Sequence, residues 1–216
     1  MNVIFDMDGV IFDSERAYVN AYKELAPKYG LHDWEKVHQA CMDSIGVTRE
    51  KTREIFFENV GFEFDYLTYR EEVSELLLKT DYERKPGVYE LFDWLKEQGA
   101  RIALASSTRE DSVRRSLDKA KLTGYFDALV CGDMIKHSKP APEIFLVAAE
   151  RIGADPEDCY VIEDSYNGIR AAHAAGTHAI MVPDILQPDA EIRGLAEVVL
   201  PSLFEVREYL EEKASA

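Results

Sequence analysis

The sequence predicts an α/β protein: a doubly wound parallel sheet with an all-helical domain inserted after its first strand. Three observations carry this. The chain opens on Val3-Ile4-Phe5-Asp6-Met7-Asp8-Gly9-Val10, a short apolar run that stops at two acids and a glycine, as an interior strand of a parallel sheet does. From Pro86 onward, strand-like apolar runs alternate with helical periodicity, the pattern of successive parallel strands joined by crossover helices. Between these, as far as about Asp81, charge and aromatics are dense, apolar positions recur at helical spacing and β-branched runs are few. That stretch reads as several helices and no sheet.

Taken in order, the opening strand leads into a helix that starts at Ser14-Glu15 and repeats Ala17, Ala21, Leu25 and Ala26 until Gly30. Within the helical block the periodic positions are Ile55, Phe56 and Val60, then Val73, Leu76 and Leu77. Lys85-Pro86-Gly87 marks the return of the sheet. A helix runs from Val88 to Lys96 and ends at Gly99, and Arg101 to Ser106 is a strand. There follow a strand from Ala128 to Cys131, a helix from Pro142 to Ile152, a strand from Tyr160 to Glu163, a helix from Ser165 to Ala175 ended by Gly176, and a strand from Ala179 to Val182. Val198-Val199-Leu200 and a helix through Leu210 close the chain. The expected domains are a core of residues 1–13 and 84–216 and a helical domain of residues 14–83.

At 216 residues and 46% hydrophobic content, the chain can bury a core of ordinary size and still carry an insertion. A net charge of −16 opposes nucleic acid and anionic membranes as partners, and an anionic small substrate would need local positive groups. Cys41, Cys131 and Cys159 are odd in number and lack C-x-x-C spacing, so they read as buried reduced thiols of a cytoplasmic protein. Asp6 interrupts the N-terminal apolar run and no basic leader precedes it, so a signal peptide is not expected, and no apolar segment is long enough to span a bilayer. A monomer is the expected state.

In such a sheet ligands bind beyond the carboxyl ends of the strands, and four strand ends here carry candidate chemistry. The period of two puts Asp6 and Asp8 on one side. Two carboxylates facing one point repel unless a proton or cation lies between them, which suggests a hard divalent ion, an acid/base pair, or both. Simple capping of the next element is the structural alternative. After the second strand, Ser106-Ser107-Thr108 offers hydroxyls and free helix amides for an anion, or an ordinary cap by Ser107 or Thr108. After the third, Lys139 sits in Ser138-Lys139-Pro140-Ala141-Pro142, a loop stiffened by proline with Pro142 suited to the first helical turn; the alternative is a solvated lysine. After the fourth come Glu163-Asp164-Ser165 and then Gly168, a second acid pair, or a cap by Asp164 or Ser165. Each is ordinary alone. Together, at the ends of one sheet, they supply metal-binding carboxylates, phosphate-binding hydroxyls and a cation.

Asp6-Met7-Asp8-Gly9-Val10, Ser106-Ser107, Lys139-Pro140 and Glu163-Asp164, in this order and across nearly the whole chain, resemble the four motifs of the haloacid dehalogenase superfamily. The insertion after Asp13 and the phrases Ala103-Leu104-Ala105-Ser106, Ser138-Lys139-Pro140-Ala141-Pro142 and Glu163-Asp164-Ser165 resemble its β-phosphoglucomutase and phosphoglycolate phosphatase branch. The resemblance implies a Rossmann-like core and a magnesium-dependent phosphatase acting on a small phosphorylated metabolite, foremost a sugar phosphate. By it, Asp6 would attack phosphorus to form an aspartyl phosphate, and Asp8 would be general acid and then base. Ser106, Ser107 and Lys139 would hold the phosphoryl oxygens. Magnesium would be held by an Asp6 oxygen, the Asp8 backbone carbonyl and Asp164, with Glu163 in or near its outer shell.

The helical domain, by the same resemblance, would be a mobile cap hinged near Phe12 to Glu15 and Thr80 to Pro86. Within it, Ser44-Ile45-Gly46-Val47-Thr48-Arg49 resembles the segment by which the mutases reach into the site, making Gly46 and Arg49 candidate substrate contacts; Arg49 could equally be a solvated residue at a helix start. The alternative activity is β-phosphoglucomutase, interconverting β-glucose 1-phosphate and glucose 6-phosphate. Ile45 stands where the mutases carry a lysine and Tyr18 where they carry a histidine, so hydrolysis is placed ahead of it. Dehalogenation is disfavoured because the resembling dehalogenases lack the second acid that Asp8 provides. A carbon-phosphorus bond hydrolase would need a cap amine, for which Lys36 and Lys51 qualify by residue type alone. A non-catalytic phosphate binder is opposed by the intact set of Asp6, Asp8, Lys139 and Asp164.

Overall fold

The computed structural model describes residues 1–44 and 49–215, with the backbone alone at positions 49 and 50. β1 (Asn2–Phe5), β2 (Arg101–Ser106), β3 (Ala128–Cys131), β4 (Cys159–Glu163), β5 (His178–Met181) and β6 (Val198–Val199) form one sheet in the order β3-β2-β1-β4-β5-β6. Every pairing is parallel. The chain builds outward from β1 to β3 and then crosses over to β4, so the strand order reverses between β1 and β4. The crevice of a doubly wound sheet lies at that switch.

Because both faces of the sheet are covered, β1 is buried at all four residues, and after Asn2 its Val3-Ile4-Phe5 run is continuously apolar rather than alternating. On one face Ile4, Ala103, Ala105 and Val161 pack against α7 (Glu143–Arg151) and α8 (Tyr166–Ala174) through Ile144, Phe145, Ala148 and Ile169. On the other, the Phe5 ring meets Phe92 of α5 (Val88–Glu97) edge to face at a centroid separation of 4.8 Å. α10 (Leu203–Ser215) packs on α5. Strand ends shift by a residue from the sequence expectation: β4 gains Cys159, and β5 runs from His178 to Met181. Two helices without predicted bounds complete the unit, α6 (Glu110–Lys119) and α9 (Ala190–Leu195). Cys41, Cys131 and Cys159 are all buried free thiols. Among the described residues no helix is long and apolar enough to cross a membrane.

By internal packing the chain divides into Met1–Asp13 with Glu83–Ala216, and Ser14–Tyr82. The two connecting strands are tied to each other inside the first unit. Asp13 donates its amide to the Glu83 carbonyl at 2.8 Å, Lys85 to that of Ile11 at 2.9 Å, and Phe12 bridges Arg84. The second unit consists of α1 (Ser14–Leu25), α2 (Trp34–Asp43), α3 (Arg49–Val60) and α4 (Tyr66–Lys79), with a short 3-10 turn from Ala26 to Tyr29 closed by Gly30. Its core is aromatic. Tyr22, Phe56, Tyr66 and Tyr69 are fully buried, and Val37, Ala40 and Cys41 pack beside them.

Candidate active site

The first pair of acids lies beyond the strand rather than on it. β1 stops at Phe5, flanked by Leu104 and Ile162; Asp6 still donates its amide to the Ile162 carbonyl at 3.0 Å, and the chain then bends. The expected strand period of two therefore does not place Asp8. A turn does: Gly9 donates to the Phe12 carbonyl at 2.9 Å and Ile11 to that of Met7 at 2.9 Å. Gly9 has φ +77°, and a Cβ there would stand 2.1 Å from Asp164 Oδ2. The Asp164 carboxylate can lie against this turn only because residue 9 carries no side chain.

Asp6 is 6% exposed, and Lys139 reaches it from the loop after β3 with Nζ 2.5 Å from Asp6 Oδ1. The same ammonium donates to Glu163 Oε1 at 2.7 Å and to the Ala105 carbonyl at 3.2 Å. All three donors of Lys139 are used at strand ends. The Asp6 carboxyl is raised to about 8: burial pushes it up most, Lys139 pulls it down, and Glu163 and Asp8 add to the rise. Burial works to discharge Lys139, but Asp6 and Glu163 outweigh it and hold the ammonium above the usual lysine range. Several carboxylates thus surround one cation; burial is the main reason Asp6 is hard to ionise, and the neighbouring acids Glu163 and Asp8 add to it.

Both oxygens of Glu163, expected in or near a metal's outer shell, are engaged by protein donors. Its Oε1 takes Lys139, and its Oε2 accepts the amides of Asp164 and Ser165 at 2.9 and 2.8 Å and the Ser165 hydroxyl at 2.9 Å. A Cβ on Gly168 would stand 1.8 Å from this carboxylate, so the first turn of α8 closes on it through a glycine. Ser165, one of the two expected caps, does cap that helix, accepting the Gly168 amide at 3.1 Å.

Ser106 is fully buried and Ser107 exposed. Neither Ser107 nor Thr108 caps α6: the residue at its start is Arg109, which makes no capping bond, and the Glu110 amide is taken by Asp133 Oδ1 at 3.0 Å. The free amides expected of a helix-start anion site are to that extent occupied. Thr108 instead donates its hydroxyl to Asp8 Oδ2 at 2.8 Å, and Ser106 Oγ lies 3.4 Å from the same oxygen. A threonine before a helix looks like a cap in sequence, and only the fold reveals the acid beside it.

Gly46 lies outside the described residues, as does the side chain of Arg49. Lys51 is exposed and paired with Glu54 at 3.0 Å, and this pairing raises its pKa, the opposite of what an imine-forming amine needs. Lys36 is exposed as well. Among the described residues no three His, Cys, Asp or Glu side chains converge as a ready-made metal cage, so the four acids Asp6, Asp8, Asp164 and Glu163 are not one ligand cluster. Magnesium does not need one: it keeps several waters and is bound through one or two carboxylates together with substrate oxygens. The buried, crowded Asp6 and the Asp164 carboxylate seated on Gly9 are a hard-oxygen set that fits it.

Known proteins resemble this chain over most of its length. A "Phosphorylated carbohydrates phosphatase" of Thermotoga maritima is 36% identical over 181 residues, 82% of either chain. A fructose-1-phosphate phosphatase of Escherichia coli is 34% identical over 201 residues, covering 83% of this chain and 95% of its own. The solved β-phosphoglucomutase of Clostridium difficile superposes with a TM-score of 0.75 at 25% identity, over 98% of this chain and 96% of that one. The profile of haloacid dehalogenase-like hydrolases runs over residues 3–182, from within β1 past the end of β5. Matched by that profile over most of its length and by relatives more than 30% identical, the chain belongs to the haloacid dehalogenase-like hydrolases.

Proposed function

We propose that the protein is a magnesium-dependent phosphatase that hydrolyses a small phosphorylated metabolite, foremost a phosphorylated sugar, through a phosphoaspartate on Asp6. The observation that carries this is the buried Asp6 carboxylate gripped by Lys139, with Asp8 on the adjoining turn. An Asp6 oxygen bonds to phosphorus as the bond to the leaving oxygen breaks, and Asp8 gives that oxygen a proton. In the second half, Asp8 takes a proton from water, the water oxygen bonds to phosphorus, and the bond to Asp6 breaks to release phosphate. Ser106 holds a phosphoryl oxygen with Ser107 beside it, and Lys139 holds another by exchanging its longest bond, that to the Ala105 carbonyl, for the phosphate. Asp6, Asp164 and the Asp8 carbonyl are the residues that would hold magnesium, which when bound neutralises charge on the phosphoryl group. Glu163 we assign to holding Lys139 instead of the metal.

The helical unit is given the role of a cap that excludes bulk water and selects the leaving group, with Gly46 and Arg49 as its substrate contacts. The phosphatases of sugars among the relatives support hydrolysis, and the likeness to a solved β-phosphoglucomutase supports the mutase as a second reading. Both use the same phosphoaspartate and differ in whether water or a sugar hydroxyl meets it next. A panel of phosphorylated sugars with magnesium, scored for free phosphate and for isomerised product, decides between them. Phosphate release as the main product is expected, lost in Asp6→Asn and on chelation. Glucose 6-phosphate forming from β-glucose 1-phosphate, with a trace of the 1,6-bisphosphate, many times faster than any phosphate release would establish the mutase.

A further inference from the structure

The turn after β2 holds a hydroxyl that none of these roles uses. Thr108 donates to Asp8 Oδ2 at 2.8 Å, a shorter contact than the 3.4 Å from Ser106. Its backbone is fixed from both sides. The Thr108 amide donates to Ser106 Oγ at 3.1 Å, and its carbonyl accepts the Gly132 amide at 2.9 Å. A Cβ on Gly132 would stand 2.1 Å from the Ser107 carbonyl oxygen, so the chain leaving β3 lies directly on this turn. Threonine is branched at Cβ and stiff at χ1, so a fixed backbone gives a fixed hydroxyl.

We propose that Thr108 is the positioning residue of the acid/base group, its hydroxyl determining that Oδ1 of Asp8 is the oxygen that carries the proton; this rests on the phosphatase reading of Asp6 and Asp8. A carboxylate accepts on both oxygens, whereas a carboxylic acid has one O–H and one accepting C=O. A donor seated on Oδ2 makes Oδ2 the carbonyl and leaves the proton to Oδ1. The bond persists in both charge states, so Asp8 need not turn between giving its proton to the leaving oxygen and taking one from water. Such fixed geometry is what lets a proton transfer keep pace with bond breaking. Ser106 cannot do this alone, because its one proton is needed by the phosphoryl oxygen.

The test uses Thr108→Val, which keeps the shape and loses the donor, and Thr108→Ser, which keeps the donor. Each is assayed with magnesium on p-nitrophenyl phosphate and on a sugar phosphate. kcat/KM reports the steps up to formation of phospho-Asp6, where a nitrophenolate leaves without a proton and a sugar alkoxide does not. Thr108→Val should lower kcat/KM about 10- to 100-fold for the sugar phosphate and less than about 3-fold for the nitrophenyl ester, part of what general acid catalysis is worth. Thr108→Ser should recover most of the loss. Equal losses on the two substrates, or a serine variant no better than valine, would show Thr108 to be structural only and overturn the proposal. If Thr108→Val does not fold, Thr108→Ala against Thr108→Ser makes the same comparison. A wild-type protein that hydrolyses neither ester would overturn the phosphatase reading and this inference with it, a result distinct from the failure of Thr108 alone.

Discussion

Lys139 makes three contacts in a buried site, and the pull of two carboxylates is what keeps it charged there. Taking one of them away tests what Glu163 does. In Glu163→Gln the shape stays but the pairing charge goes, and a buried partner left alone is costly. If Glu163 serves Lys139, the variant should lose about 10-fold or more in kcat/KM, since charge-assisted bonds are worth about 1.5–3 kcal/mol, while half-saturation by magnesium stays within about 2-fold. Titration of activity with magnesium at saturating substrate reads the second quantity; a large rise there would return Glu163 to the metal. The sequence displayed Asp6, Asp8, Lys139 and Glu163 because all four follow strand-like runs, and strand ends of one sheet come together. It could not display the direction of a side chain. Glu163 and Asp164 are adjacent acids in sequence, yet one closes on Lys139 under Gly168 and the other lies on Gly9. Likewise the partner of Thr108 is a hundred positions away, and no local pattern encodes it.

Elements buried on both faces were the legible ones. β2 and β3 occupy the expected residues, since a continuous apolar run bounded by polar residues has few other readings. α6 offers only Val113 and Leu117 to the core amid charged residues, and α9 is six residues long with Gly194 inside it, so neither carries enough periodicity to bound. β6 has two residues and little of its own to hold it. Glu197, just before it, does the holding: its amide donates to the Ala179 carbonyl at 2.8 Å, and its carboxylate takes His178, the Tyr209 hydroxyl and Lys213, the last at 3.1 Å. Burial raises the Glu197 pKa, but the bonds from Tyr209, His178 and Lys213 outweigh it and bring the group down to about 2. A carboxylate with a depressed folded pKa adds stability that is complete above its unfolded value near 4.5 and disappears as the pH falls toward 2. With the side chain 27% exposed, the effect is discounted to roughly 1–2 kcal/mol. Urea unfolding of wild type and Glu197→Gln should show that gap at pH 7 and a smaller one at pH 3. A gap unchanged between the two pH values would mean the carboxylate charge contributes nothing there.

At the scale of the whole molecule the net charge of −16 works against the proposed substrate, which is itself an anion. The cation that would receive the phosphate cannot offset this at a distance. Lys139 is buried with a side-chain exposure of 7%, and Asp6 and Glu163 already balance its field. An approaching phosphate dianion therefore meets mean repulsion at long range, which bound magnesium would lessen by two charges without reversing the overall sign. Screening should help it. Raising ionic strength from about 10 to about 150 mM shortens the Debye length from about 30 to about 8 Å, which removes the repulsion of distant acids and leaves short contacts in the site nearly intact. The expected result is that kcat/KM for a phosphorylated sugar rises about 2- to 5-fold over this range, with kcat nearly unchanged, when magnesium is kept saturating. A neutral osmolyte at matched osmolality should leave kcat/KM flat and so separate screening from water activity. If kcat/KM instead falls steeply with salt, the field at the mouth of the site is positive, and local cations govern substrate capture in place of the overall acidic charge.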